Sequence, residues 1–371
     1  MKKVIVSVTN DLSSDQRVHR TCMTLVKMGF DVLLIGRILP SSLPLPPRAY
    51  KTKRFHLCFK KGPLFYAAFN YRLFRFLLFH KFHLLVANDL DTLLGNYLAK
   101  KIKGKQLVYD SHEFFTGVPE LEHNKFARNT WLCIERWIFP KLRSVYTVNQ
   151  SIANLYHDLY GNDVKVVRNM PARKEIVFTK TKKELNLPED NKIILLQGAW
   201  INVDRGAEEA VVAMKFVQDA VLVIVGGGDV IEILKETVNK NKLSDHVIFV
   251  PKQPFETLFQ YTVHADLGLT LDKDTNINYH FSLPNKLFDY LQAGVPVLAS
   301  PLVEIKAVLE KYNAGVFIEN HSPEHIAEKI NTLIHDEPLL KSLKENAKKA
   351  AVEFCWENEE EKLISIYKPF L

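Results

Sequence analysis

Ser282-Leu283-Pro284-Asn285-Lys286-Leu287-Phe288-Asp289-Tyr290-Leu291-Gln292-Ala293-Gly294-Val295-Pro296-Val297 carries two structural periods in succession. Leu287, Leu291 and Gly294 keep helical spacing, and Pro284 suits a first helical turn, where its missing amide is not needed. Gly294 ends the helix, and the apolar run over residues 295–299 reads as a strand buried on both faces. A helix returning to a strand through one glycine is the repeating step of a parallel α/β sheet. Lys286 and Asp289, three apart, project from one face near the helix start. A cation there can meet phosphate oxygens, and a carboxylate one turn on can accept hydrogen bonds from sugar hydroxyls. The plainer alternative is a solvated ion pair, common on any helix.

The same alternation extends in both directions. Upstream in the second half, residues 193–197, 221–225, 247–250 and 267–271 read as strands, and 315–318 follows downstream. Ser322-Pro323-Glu324 opens a later helix with a capping serine and a proline at its first position, and a Lys/Glu-rich helical tail runs from about residue 338. The first half repeats the scheme with strands over 4–8, 32–35, 84–87, 106–109, 145–148 and 164–167. One of its helices covers 16–28 and is closed by Gly29. Periodicity breaks near Met170-Pro171, and residues 173–190, rich in Lys and Glu with Pro188, read as a linker. The division is therefore 1–172, linker 173–190, 191–350, and a C-terminal helix over 351–371 that packs back toward the first domain. Two doubly wound, Rossmann-like domains facing each other create a cleft, and such sheets bind ligands at the carboxyl ends of their strands.

The composition supports two cored domains in 371 residues, with 47% hydrophobic and 25% charged residues. The net charge of +7 is unevenly divided: residues 1–172 carry 26 Lys+Arg against 12 Asp+Glu, and residues 173–371 carry 23 against 30. An anionic surface or ligand is expected on the first half. Cys22, Cys58, Cys133 and Cys355 have no paired spacing and read as small core residues in a reducing compartment. No run is long enough for a membrane-spanning helix, and the N-terminal apolar stretch lacks a cleavage site. A cytoplasmic protein is expected, with a peripheral position on the inner face of the cell membrane.

Other segments carry chemistry. Gly226-Gly227-Gly228-Asp229 follows the strand at 221–225, where glycines let amides and a helix start approach a phosphate; a tight turn is the bland alternative. Asp110-Ser111-His112-Glu113 lies at the end of the strand at 106–109, and Asn88-Asp89 at the end of another, both on the ligand edge. Asn10, Asp11 and Asp15 follow the first strand and fit turn and cap roles. The D-x-D spacings Asp89/Asp91 and Asp272/Asp274 invite a metal, but no His/Cys cluster accompanies them, and no metal is expected.

Residues 284–297 resemble the nucleotide-sugar-binding segment of the family 4 glycosyltransferases (glycosyl transferases group 1), retaining enzymes of the GT-B fold. The resemblance extends over most of the chain, through Asp110-Ser-His-Glu113, Val167-Arg-Asn-Met-Pro171, Gly198 to Arg205-Gly206, Val225-Gly-Gly-Gly-Asp229 and Phe354-Cys-Trp-Glu-Asn-Glu359. It implies an acceptor-binding first domain, with Asn10, Asp11, Asp15, Asp89 and Glu113 as acceptor-side candidates, and a nucleotide-sugar-binding second domain, with no cofactor and no metal. It places Asp289 at the second acid of an E-x7-E element that holds the nucleotide ribose; the first acid falls on Phe281. Donor contacts near Phe281 then pass to neighbouring backbone, with Ser282, Leu283, Asn285 and the glycines Gly226, Gly227 and Gly228 on the donor side. Arg205 falls on the second of two basic residues clamping the donor diphosphate, while Ala199 and Trp200 stand near the first. Arg205 and Lys286 would then form the cationic pair, and His112 would lie near the donor sugar. The bland alternative for Arg205 is an ion pair with Asp204 or Glu208.

Residues 51–85 hold eight Lys/Arg, ten Phe/Tyr and no Asp or Glu. Residues 71–82 read as a helix whose basic positions interrupt a Phe/Leu face, suited to an anionic membrane surface or to a core with a solvated basic side. Interleaved bases and aromatics also suit single-stranded nucleic acid, but no RNA-binding signature accompanies them and no nucleic-acid partner is expected. The expected function is retaining transfer of a hexosyl group from a nucleotide-diphosphate sugar to a hydroxyl of a glycan or lipid-linked saccharide. Its setting would be cell-surface polysaccharide or glycolipid synthesis. The alternatives are a non-catalytic nucleotide-sugar-binding subunit and a sugar-nucleotide epimerase of the same fold.

Overall fold

The computed structural model describes residues 1–371 apart from Ser14, Ser41, Leu43 and His123. Two compact units divide it: Met1–Asn169 with Glu359–Leu371, and Met170–Asn358.

The first unit is built on a parallel sheet of seven strands: β1 (Lys3–Asp11), β2 (Asp31–Arg37), β3 (Lys51–Phe55), β4 (Leu84–Asn88), β5 (Gln106–Ser111), β6 (Ser144–Thr147) and β7 (Val164–Val166). Their order is β3-β2-β1-β4-β5-β6-β7. Central β1 pairs Val4 with Val32 on one side and with Leu84 on the other. Strand β4 is buried at every position, as its uninterrupted apolar run requires of a sheet covered on both faces. Strand β3, Lys-Thr-Lys-Arg-Phe, was not foreseen because it lacks an apolar run. It needs none, being an edge strand with Lys51, Thr52 and Lys53 exposed, and lysines on an edge discourage further pairing. The helix expected over 71–82 is the second half of Pro63–Phe79, which buries Phe65, Phe69, Leu73 and Leu77 against this unit.

The second unit has six parallel strands: β8 (Lys192–Gly198), β9 (Ala220–Gly226), β10 (Val247–Val250), β11 (Leu267–Thr270), β12 (Val297–Ala299) and β13 (Gly315–Phe317). They are ordered β10-β9-β8-β11-β12-β13. Alternate residues feed two cores: Ile193 and Leu195 on one face, Ile194 and Leu196 on the other. Leu185 and Leu187, inside the stretch read as a linker, join the first of these cores, so this stretch lies within the second unit. Residues 359–371 belong to the first unit, where Glu359 accepts from the Arg168 amide at 2.8 Å and Tyr146 and Tyr367 hydroxyls meet at 3.2 Å.

Both sheets start from a central strand and grow first one way and then the other. Strand order therefore reverses between β1 and β4, and again between β8 and β11, and polar groups at the carboxyl ends of these strands are where ligands bind. Two of the four cysteines depart from expectation: Cys22 and Cys355 are buried, but Cys58 and Cys133 are exposed and belong to no core. No helix of the described residues is long and apolar enough to cross a membrane.

Candidate functional site

In the second unit, β8 ends at Gly198 and β9 at Gly226, and their following loops press together. A Cβ on Gly226 would lie 1.8 Å from the Gly198 carbonyl oxygen, and one on Gly228 would lie 2.1 Å from that of Ile201. Both glycines also have positive φ, 145° and 157°, a region other residues avoid. The Gly227 amide donates to Gly198 O at 3.3 Å, and Gly227 O accepts from the Ile201 amide at 2.8 Å. The triplet thus has a packing reason in the protein itself.

The helix Asn285–Gln292 begins after Pro284, which stands at its N-cap and not inside its first turn. Gly294, with φ of 68°, follows the helix as expected. Lys286 reaches a partner outside its own helix: Nζ lies 3.6 Å from Oδ2 of Asp272, at the end of β11. Arg205 Nη1 donates to Oδ1 of the same carboxylate at 2.8 Å, and the Tyr279 ring lies 4.2 Å from its guanidinium carbon. Asp272, not Asp204 or Glu208, is therefore the partner of Arg205; Asp204 lies 3.7 Å from Lys273 Nζ. Asp272 is fully buried, and Thr270 Oγ1 donates to its Oδ2 at 3.1 Å. Burial opposes its charge, but Lys286 and Arg205 overcome this and hold its pKa below the usual carboxylate range. Burial pushes the Lys286 pKa down, with Asp272 opposing. Asp274, the other half of that D-x-D, points elsewhere and lies 2.8 Å from His280 Nδ1.

Asp289 accepts from Gln197 Nε2 at 3.2 Å, and Thr262 Oγ1 fixes the other end of that amide by donating to Gln197 Oε1 at 2.8 Å. Gln197, at the end of β8, was not singled out from sequence; an apolar run ending in one polar residue at the ligand edge is the signal that marks it. Asn285 is exposed, and Phe281, Ser282 and Leu283 are half-buried. The amides of Phe281 and Ser282 are already engaged, donating to Ile277 O at 3.2 Å and Tyr279 O at 2.9 Å.

In the first unit, the ends of β4 and β5 build a second cluster. Asp89 has φ of 57°, an unusual conformation for a residue with a side chain. That turn lets its carboxylate accept from the His112 amide at 2.7 Å and lie 3.2 Å from His112 Nδ1. His112 Nε2 lies 3.2 Å from Asp110 Oδ2. Arg17, from the helix Gln16–Lys27, closes on Asp110 with Nη2 at 2.7 Å and Nε at 3.2 Å, and donates from Nη1 to Val167 O at 2.9 Å. Burial disfavours the imidazolium, but Asp89 and Asp110 outweigh it and raise the His112 pKa to about 9. His112 is thus charged at neutral pH, with both ring nitrogens facing carboxylates. Arg17 carried no sequence signal beyond its place after the first strand.

The remaining candidates hold turns. Asp15 caps its helix by accepting from the Val18 amide at 3.0 Å and accepts from Asn10 Nδ2 at 3.1 Å; Asp11 accepts from the Ser13 amide at 3.2 Å. Glu113 has an exposed side chain, and its carbonyl accepts from Ser111 Oγ at 2.7 Å. Asp91 is buried and accepts from Thr9 Oγ1, and burial together with Asp89 raises its pKa to about 8.

Two doubly wound units, each with a charged cluster at the carboxyl ends of its strands, define a two-domain α/β protein of the kind that binds nucleotide-like ligands. Residues 177–350 match the family Glycosyl transferases group 1, and residues 15–170 match Glycosyltransferase Family 4. An uncharacterised glycosyltransferase of Methanocaldococcus jannaschii, MJ1069, is 25% identical over 294 residues, covering 75% of this chain and 72% of its own. Sucrose-phosphate synthase of Thermosynechococcus elongatus superposes with a TM-score of 0.81 at 16% identity, over 100% of this chain and 99% of its own. HepE of Anabaena, solved with UDP and glucose, gives 0.75 at 15% identity over 100% of both chains. The chain belongs to the family 4, group 1 glycosyltransferases and has the GT-B fold.

Proposed function

We propose that this glycosyltransferase uses a nucleotide-diphosphate sugar and transfers its hexosyl group, with retention of anomeric configuration, to a hydroxyl of a glycan or lipid-linked saccharide. Cell-surface polysaccharide or glycolipid synthesis is the setting this reading supports. One observation carries it: Arg205 and Lys286 converge on the two oxygens of a single buried carboxylate, beside Asp289, at the strand ends of the second unit. A cation pair spaced for two oxygens of one group suits a diphosphate, whose charge grows as it leaves. Asp289 then holds the ribose hydroxyls, with Gln197 fixing its orientation. His112 orients the donor sugar. With both nitrogens of a charged imidazole facing carboxylates, it is not a general base at neutral pH.

The step we favour is front-face attack. The acceptor oxygen bonds to the anomeric carbon on the face from which the diphosphate oxygen departs, and the acceptor proton passes to that departing oxygen. Purified protein screened by mass spectrometry against sugar nucleotides, with saccharide and lipid-phosphate acceptors, tests the reading. Glycosylated acceptor with the donor's anomeric configuration is expected. Donor binding without transfer would favour a binding subunit, and an epimerised sugar nucleotide formed without acceptor would favour an epimerase.

We also place the acceptor side against an anionic membrane. A groove of about 600 Å³ in the first unit is lined by Lys53, Arg72, Arg75, Tyr71, Phe76 and Phe79 among others. Phe79 is 79% exposed and Tyr71 62%, both on the outer face of the helix Pro63–Phe79. Exposed rings amid cations and no acids suit lipid headgroups. Sedimentation with anionic but not neutral vesicles is expected, and equal recovery with both would contradict it.

A further inference from the structure

Asp272 sits where a donor site would least be expected to carry negative charge. It lies beyond the end of β11, is fully buried, and divides its oxygens between two cations from different elements. Oδ1 receives Arg205 Nη1 at 2.8 Å, and Oδ2 faces Lys286 Nζ at 3.6 Å while accepting from Thr270 at 3.1 Å. We propose that Asp272 is a positioning residue, which sets Arg205 and Lys286 side by side as a preformed pair and keeps the Lys286 ammonium charged in a buried place. The proposal rests on the reading that these two cations meet the donor diphosphate.

Without Asp272, two cations would face each other uncompensated. Lys286 has a side chain only 11% exposed, so its ammonium has lost much of its hydration. A neighbouring guanidinium adds repulsion. Without a counter-ion, the favoured outcomes are loss of the lysine proton or separation of the two side chains. The charged groups facing Lys286 are Asp272, from beyond β11, and Arg205, from the segment after β8. Of these, Asp272 is the group that touches both cations. The Thr270 hydroxyl fixes it from the end of β11, and the Tyr279 ring covers Arg205. The Arg205 Nε atom is buried with no hydrogen-bond partner among the described residues, so the carboxylate and the ring are what hold this guanidinium in place. The cluster retains one net positive charge, which remains for an anionic group.

The test compares wild type with Asp272→Asn and Asp272→Glu, reading kcat/KM for the donor from neutral to alkaline pH together with thermal melting. Asp272→Asn should move the alkaline limb down by about one pH unit or more, since an opposite charge at this range shifts a lysine by about one to three units. Asp272→Glu keeps the charge and displaces it by one methylene, so it should keep the wild-type limb and raise donor KM several-fold. A purely structural role would lower the melting temperature and leave the limb in place. A folded Asp272→Asn with the wild-type limb overturns the proposal. If Asp272→Asn does not fold, an Asp272→Glu limb displaced from that of wild type overturns it. Lys286→Ala separates the two readings: wild-type transfer in that variant defeats the donor-site assignment itself, whatever Asp272 does.

Discussion

The two strand-end clusters use the same fold position with opposite electrostatics. In the first unit, Asp89 and Asp110 enclose one imidazolium and one guanidinium, and the charges cancel. In the second, one carboxylate holds two cations and leaves a positive surplus. The bulk composition runs the other way, with +13 over Met1–Asn169 and Glu359–Leu371 and −6 over Met170–Asn358. A domain's net charge therefore reports on its outer surface, while the charge available to a ligand is set by a few side chains at the strand ends. The basic first half spends its cations on an edge strand and an exposed aromatic groove; the acidic second half keeps two where the sheet order reverses.

The largest expected effect sharpens this contrast on the neutral side. Asp110→Asn should destabilise the first unit by about 3–5 kcal/mol, because Arg17 would be left buried without its partner, and chemical denaturation measures it. The same cluster gives a pH signature. The His112 pKa is raised from 6.5 to about 9, so its stabilising contribution is complete below the unfolded value and is lost as pH rises through the folded one. The melting temperature should therefore fall between neutral and alkaline pH, and His112→Gln should flatten that fall. An identical slope in the variant would break the comparison by removing the imidazolium from it.

Gly226→Ala comes next. Its Cβ has no room beside the Gly198 carbonyl, and the positive φ alone costs about 1–3 kcal/mol. Lower stability of the second unit is expected, read by thermal melting; unchanged melting would show that the two loops separate readily. The smallest effect belongs to Asp289→Ala, which should raise donor KM about tenfold with little change in kcat, about 1.4 kcal/mol and the low end for a hydrogen bond to a charged group. Unaltered KM would remove Asp289 from the donor side.

Much of this architecture was legible. Strands such as β4 and β8 are apolar runs because a sheet covered on both faces demands them, and the helix before Gly294 announces itself by period and stop signal. Strand β3 was not legible, since an edge strand can be built from lysines. For the sites, sequence placed Lys286 and Asp289 at a helix start and His112 at a strand end and, through the family resemblance, pointed to Arg205. It could not say what each would touch. Asp272 looked like half of a D-x-D pair, yet burial turned it toward two cations while Asp274 stayed at the surface. Arg17 and Gln197 act across the sheet, through contacts that no local spacing encodes.

The central claim is that the surplus cations of the second unit receive the donor diphosphate. Lys286→Ala tests it most directly, because Asp272 keeps Arg205 as a partner and the fold should survive. Transfer from the donor identified by the screen should fall by about 10²–10³-fold, the loss typical of one charge-stabilising group, with an unchanged melting temperature. Wild-type turnover in a folded Lys286→Ala protein would contradict the account.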